Sequence, residues 1–210
     1  MPELNSTKTF LNWMYSTAFE DIPSDVRHTA LLALYDDIGC NLACSMIPLA
    51  HRMVDLANLV GGSPDCSIIG FPVRTSILNA AMVNGTIGHG DEIDCTDDTG
   101  QPRTMPALMA ATLAAGQFGQ ASGQEVIRAV VFGHELTRRI HAVQPSSPEM
   151  ARDHVDQEHS MGCAAAGIVL RLTPVEMDRA LSFAATMVAG TTPPIPERTN
   201  ICSSLICGVE

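Results

Sequence analysis

Within eight residues the chain carries five carboxylates, Asp91, Glu92, Asp94, Asp97 and Asp98, immediately behind Gly88-His89-Gly90. Carboxyl groups this close cannot all ionise cheaply. Their repulsion raises the pKa of one, so a crowded set can hold a protonated acid and an ionised base at the same pH. General acid/base chemistry is one reading of the stretch. A second is a Mg²⁺ site on Asp94, Asp97 and Asp98, whose hard oxygens suit that ion. The spacing D-x-x-D-D falls on a Gly-containing loop rather than a helix, which ranks this reading last. A third is a solvated acidic loop that caps the helix starting near Met105. Backbone strain and like charge gathered between helices are costly, which favours function over mere connection.

The elements around the loop read as helices. Ser6 or Thr7 can cap an amphipathic helix carrying Phe10, Leu11, Met14 and Phe19. Ile22-Pro23-Ser24-Asp25 starts a second, on which Val26, Ala30, Leu31, Leu34, Ile38 and Leu42 keep a helical period. A third covers Pro48 to Leu59 and stops at Gly61-Gly62. Cys66 to Pro72 is the one good strand candidate, and Arg74 to Ile87 is helical again. Behind the loop, Met105 to Gly116 is apolar on nearly all sides, and Gly123 to Val143 is amphipathic with Val126, Ile127, Val130, Val131 and Leu136 inward. A polar loop spans residues 144–157, and Ser160 to Leu172 is a buried helix of small residues. Thr173-Pro174-Val175-Glu176 then gives an N-cap, a Pro at the first position and an acid three residues on, near a capping box. The fold class expected is all-α: a bundle of helices rich in small residues, as one domain over residues 1–210. The core-like segment Ile201–Val209 suggests that this domain is part of something longer.

Composition narrows the function. Aromatics make up 4% and charged residues 17%, with mean hydropathy +0.14, which fits a globular chain with closely approaching helices. A net charge of −11 argues against a nucleic-acid partner and requires any anionic substrate to find a local positive pocket. The seven cysteines include no C-x-x-C pair, so zinc-ribbon and thioredoxin readings fail. Cys40 and Cys44, four residues apart on one helix face, read as buried small hydrophobes. No signal peptide is evident at the N-terminus, and no apolar run reaches the ~18–20 residues of a membrane span, so an intracellular, cytoplasmic setting is expected.

Four stretches in order resemble the 2-methylcitrate dehydratase family, which also holds cis-aconitate decarboxylase. Tyr35 to Cys40 (YDDIGC) is similar to its early Asp-x-x-Gly helix, and His89 to Thr96 (HGDEIDCT) to its His-x-x-Asp-(Phe/Tyr)-Asp-Asp-Thr loop. Pro106 to Arg139 is similar to its Pro-Ala-x-x-Ala helix, Gly-x-Ser-Gly turn and Gly-(Tyr/His)-Glu-(Val/Leu)-x-x-Arg helix, and Gly162 to Gly190 to its Ala-rich pair. The resemblance implies a large all-α domain, an α+β lid inserted beyond the present chain, a homodimer, and no metal or organic cofactor. It implies a lyase that removes water or carboxylate from a citrate-like tricarboxylic acid, with dehydration of methyl- or alkylcitrate as the leading expectation. At the site it implies Glu92, Asp94 and Thr96, with Glu92 in place of an Asp and Cys95 in place of another. His154 stands close to a family histidine, with His159 as a weaker candidate, and His89 matches a position that would orient the acidic loop.

The chain also departs from the pattern. The family's His-Pro after the acidic loop is absent from the stretch 97–102, and Ser203 stands where it carries a Lys. A trianionic substrate needs cationic partners; Arg103, Arg152 and Arg198 could supply them. These departures keep alternatives open: a truncated, non-catalytic relative serving as a dimerisation or binding module, or a decarboxylase of a cis-aconitate-like acid.

Overall fold

The computed structural model describes residues 6–94, 105–143 and 158–186. Eight helices and one two-stranded ribbon make up these residues: α1 (Ser6–Ser16), α2 (Ser24–Cys44), α3 (Pro48–Val60), β1 (Cys66–Ser67), β2 (Arg74–Thr75), α4 (Ile77–Gly88), α5 (Met105–Phe118), α6 (Gly123–Val143), α7 (Glu158–Val169) and α8 (Pro174–Thr186). The architecture is all-α, as the periodicity requires.

Helix α5 forms the centre. Its apolar surface meets α4 on one side and α7 on the other, and Leu108 and Met109 are completely buried. Small residues make the approach possible: a Cβ on Gly162 would lie 3.2 Å from the Cβ of Ala111. Around this seam gather Phe10, Leu11 and Met14 of α1, Phe132 of α6, Ile168 of α7 and Met177 of α8 in one hydrophobic cluster. Each large side chain so buried contributes about 1.5–3 kcal/mol. A smaller cluster joins Cys44 of α2 with Ala50, Met53 and Ala57 of α3, Ile68, and Val83 and Ile87 of α4.

Local chemistry fixes several boundaries. Thr173 Oγ1 accepts from the Glu176 amide while Glu176 Oε2 accepts from the Thr173 amide at 2.8 Å, the reciprocal box that starts α8. Ser122 and Glu125 make the same box at α6. Gly61, at φ 72°, ends α3.

Three expectations need correction. The strand candidate over 66–72 shortens to Cys66–Ser67, and its partner comes from residues assigned to a helix: Cys66 pairs with Thr75 and Ser67 with Arg74, antiparallel. Helix α4 therefore begins later, at Ile77, where Ser76 Oγ accepts from the Asn79 amide. On α2 the apolar period marks the buried face only in part, through Ala30 and through Leu34, which packs against the main cluster. Val26 and Leu42 are exposed, while Ala30, Asp37, Cys40, Asn41 and Cys44 are buried. The reason is local contact: the end of α4 comes close to α2 at Asp37, Asn41 and Cys44, which are small or polar. Cys40 and Cys44 are buried as expected. No single helix among the described residues is long and apolar enough to cross a membrane; α2 and α3, which could do so only as a pair, are bent by 93° at their junction.

Candidate functional site

Helix α4 ends at Gly88, and His89 closes it, its amide donating to Gly85 and Ile87 carbonyls. Gly90 then donates to Ile87 O and Glu92 to His89 O, so the chain coils tightly on itself. Glu92 completes the coil in the left-handed region at φ 53°, a conformation that costs a non-glycine residue about 1–2 kcal/mol. Such strain is most often kept where it aims a functional group.

The two glycines flanking His89 explain themselves by contact. A Cβ on Gly88 would lie 2.8 Å from Asn41 Nδ2, and one on Gly90 would lie 2.7 Å from Ile47 Cδ1 and 3.0 Å from Ile87 O. Larger residues would push the coil off α2. Pressed there, His89 and Asp94 meet: His89 Nδ1 lies 2.9 Å from Asp94 Oδ1, with side chains only 7% and 1% exposed. A carboxylate can only accept, so Nδ1 carries the proton, and in the neutral ring Nε2 becomes the basic nitrogen. His89 thus does hold the acidic loop, as its position in the motif suggested.

Beneath this pair lie Asp37 and Asn41 of α2, 2% and 1% exposed. Burial, then the charges of Asp94 and Asp36, push the Asp37 carboxyl well above the usual carboxylate range. The neighbouring thiols are driven the same way. Burial, with Asp36, Asp37, Asp94 and Cys44 adding to it, pushes Cys40 up to about 12, and burial raises Cys44 as well. Neither is a thiolate near neutrality, so neither is a nucleophile.

Of the four site residues expected from sequence, the structure sets Glu92, half-buried, and Asp94, buried, on the same coil. Thr96 and His154 lie outside the described residues, as do Asp97, Asp98, Ser203 and the three arginines, Arg103, Arg152 and Arg198; His159 falls at the start of α7. Among the described residues no group of three or more His, Cys, Asp or Glu side chains could hold a metal ion. The residues that sequence reasoning missed are Asp37 and Asn41. A signal was there: Asp37, Cys40, Asn41 and Cys44 recur at helical spacing in a helix that must bury one face.

Fold and site define a helical domain that carries a buried histidine–carboxylate pair at a helix terminus. The chain belongs to the MmgE/PrpD family, whose N-terminal domain matches residues 8–197. It is 28% identical over 192 residues to a cis-aconitate decarboxylase of Aspergillus terreus, covering 88% of this chain and 39% of that protein. It is 27% identical over 199 residues to a cis-aconitate decarboxylase-like protein of Aspergillus oryzae, covering 90% of this chain and 41% of that one. The chain thus spans about two fifths of the length of these relatives.

Proposed function

We propose that this chain supplies the acid/base residues of a lyase acting on a citrate-like tricarboxylic acid, in the first place by eliminating water from a methyl- or alkylcitrate. The observation that carries this reading is the buried His89–Asp94 pair at 2.9 Å. Elimination of water needs a base for the proton beside a carboxylate and an acid for the departing hydroxyl. A histidine whose tautomer is fixed by a carboxylate can serve either step, and Glu92, on the same coil, is a candidate for the other. Thr96 and His154 complete the proposed site. The enzyme is proposed to work as a homodimer without metal or organic cofactor.

A second reading, decarboxylation of a cis-aconitate-like acid, is favoured by the names of the two relatives. Both reactions need a tricarboxylate pocket and a proton donor. The test is to give the purified chain 2-methylcitrate and cis-aconitate separately and to separate the acids formed. An unsaturated product from 2-methylcitrate supports the dehydratase, and carbon dioxide from cis-aconitate supports the decarboxylase. In either case Asp94→Asn should lower turnover ~10²–10⁴-fold, the usual worth of a positioned acid or base. His154→Ala should also lower it. Folded protein that turns over neither acid would instead indicate a non-catalytic binding or dimerisation module.

A further inference from the structure

Asn41 Nδ2 donates to Asp37 O at 3.1 Å and to Asp37 Oδ2 at 3.3 Å. These two acceptors fix the amide's orientation, since turning it over would set an oxygen against both. With the amide so placed, Asp37 Oδ1 and Asn41 Oδ1 are buried and have no hydrogen-bond partner among the described residues. Among the described residues two acceptors therefore stand without a donor, close under the end of α4: the position of a Cβ on Gly88 is 3.4 Å from Asp37 Oδ1 and 2.8 Å from Asn41 Nδ2.

We propose that Asp37 is a positioning residue for the His89–Asp94 pair: clamped by Asn41 under the end of α4, it stands beneath that pair as a neutral carboxylic acid.

A proton on Oδ1 makes one of the two orphaned acceptors a donor and leaves a neutral group in the buried position. An ionised Asp37 would be a buried anion beside a second one, a state that costs several kcal/mol without a cation. Among the described residues the charges acting on Asp37 are both negative. On α2 itself stand Asp36, Cys40 and Cys44, and the coil after α4 brings His89, Asp91, Glu92 and Asp94. The start of α5 contributes Pro106, which does not titrate. Helix α6 also packs on α2 and carries Glu125, Arg128, His134, Glu135, Arg138, Arg139 and His141, yet the charges acting on Asp37 are those of Asp94 and Asp36. With Asp37 neutral, Asp94 has no repelling neighbour beneath it and keeps its bond to His89. This holds whatever reaction the chain serves.

The test reads the groups themselves rather than turnover, so it can succeed or fail independently of the lyase assays. In the 210-residue chain with ¹³C-labelled aspartate, one carboxyl signal at neutral pH should have the shift of a neutral acid and disappear in Asp37→Asn. The hydrogen-bonded His89 Nδ1 proton should be retained in Asp37→Asn, which preserves shape and neutrality, and be lost or broadened in Asp37→Ala. As pH is raised through the ionisation of Asp37, that proton's signal should move in the wild type and stay still in Asp37→Asn. A merely structural side chain would not produce this last difference. The proposal is overturned if every aspartate is ionised at neutral pH, or if the His89 signal responds to pH identically in wild type and Asp37→Asn. Should Asp37→Ala not fold, the wild type and Asp37→Asn decide the matter alone.

Discussion

Gly88 shows how tightly single residues set this site. Alanine in its place would gain helix propensity worth about 0.5–1 kcal/mol. Its Cβ would also strike Asn41 Nδ2, which is buried and already bonded to Asp37. Forcing a methyl group into a filled interior costs about 1–3 kcal/mol. The clash should win, so Gly88→Ala is expected to lower stability by about 1–2 kcal/mol in urea unfolding and to disturb the His89 Nδ1 proton. A variant more stable than wild type would mean that α2 can retreat from α4.

Asp37 makes a second prediction at this scale, through linkage. Its folded-state pKa is raised, by burial first and then by Asp94 and Asp36. The folded chain therefore binds this proton more tightly than the unfolded chain does. The resulting stability is fully present below the unfolded carboxylate range, about pH 4, and is lost as pH rises through the folded value. Asparagine is neutral throughout and escapes that loss. The stability of Asp37→Asn relative to wild type should accordingly rise from acid pH through neutrality. Urea midpoints across a pH series measure this directly, and parallel curves for the two proteins would contradict it.

At the scale of elements, caps matter more than period. The Thr173–Glu176 box and the Gly61-Gly62 stop could be read from sequence because each depends on residues adjacent in the chain. The buried face of α2 was legible only in part, through Cys40 and Cys44. Its apolar residues keep a helical period, yet Val26 and Leu42 point outward and Asp37 and Asn41 inward. Which face is buried depends on α4, whose approach is set by Gly88 and Gly90 from elsewhere in the chain. The strand pairing of Arg74–Thr75 with Cys66–Ser67 was hidden for the same reason, since two residues carry no alternation to read. The acidic coil was legible as chemistry, and His89 as its anchor, but the bond of Nδ1 to Asp94 needed the fold.

The turn between α5 and α6 gives the element-scale test. Ser122 caps α6, and Arg171, at the end of α7, bonds Glu125 at 2.8 Å through Nε. The Arg171 side chain, then the Ser122 amide, hold the Glu125 carboxyl down at about 2. Here the sign is opposite to that of Asp37. The contribution is present above the ordinary carboxylate value and is lost as pH falls toward about 2. Because the pair is largely exposed, solvent screening limits it to below about 1 kcal/mol. Glu125→Gln should therefore lower stability slightly at neutral pH and show a shallower acid loss than wild type. Ser122→Ala should cost about 1 kcal/mol, the usual worth of such a cap, with little dependence on pH. A Ser122→Ala variant as stable as wild type would show that Arg171 alone secures the turn.

Across the whole molecule the question is whether the N-terminal helix folds with the rest. Helix α1, with 11 residues, is too short to be stable alone, since isolated helices need roughly 12–15. It is held by tertiary contacts. Phe10, Leu11 and Met14 enter the main cluster, Arg128 of α6 donates to the Met14 and Thr17 carbonyls, and Tyr15 Oη donates to Leu172 O at 2.6 Å across 157 residues of chain. Burial raises the Tyr15 phenol above its ordinary value, so it remains a donor well past neutrality. Tyr15→Phe removes that donor and should cost about 1 kcal/mol. The chain's one tryptophan, Trp13, lies on α1 with its ring 5.0 Å from Phe132 of α6, so its fluorescence reports the docking of α1. Circular dichroism reports all the helices. If α1 is part of one cooperative unit, Tyr15→Phe should move both urea transitions to lower concentration together. An earlier tryptophan transition, with the dichroism midpoint unchanged, would show that α1 detaches alone. Coincidence is expected, because α1 supplies part of the core that α6 and α8 share.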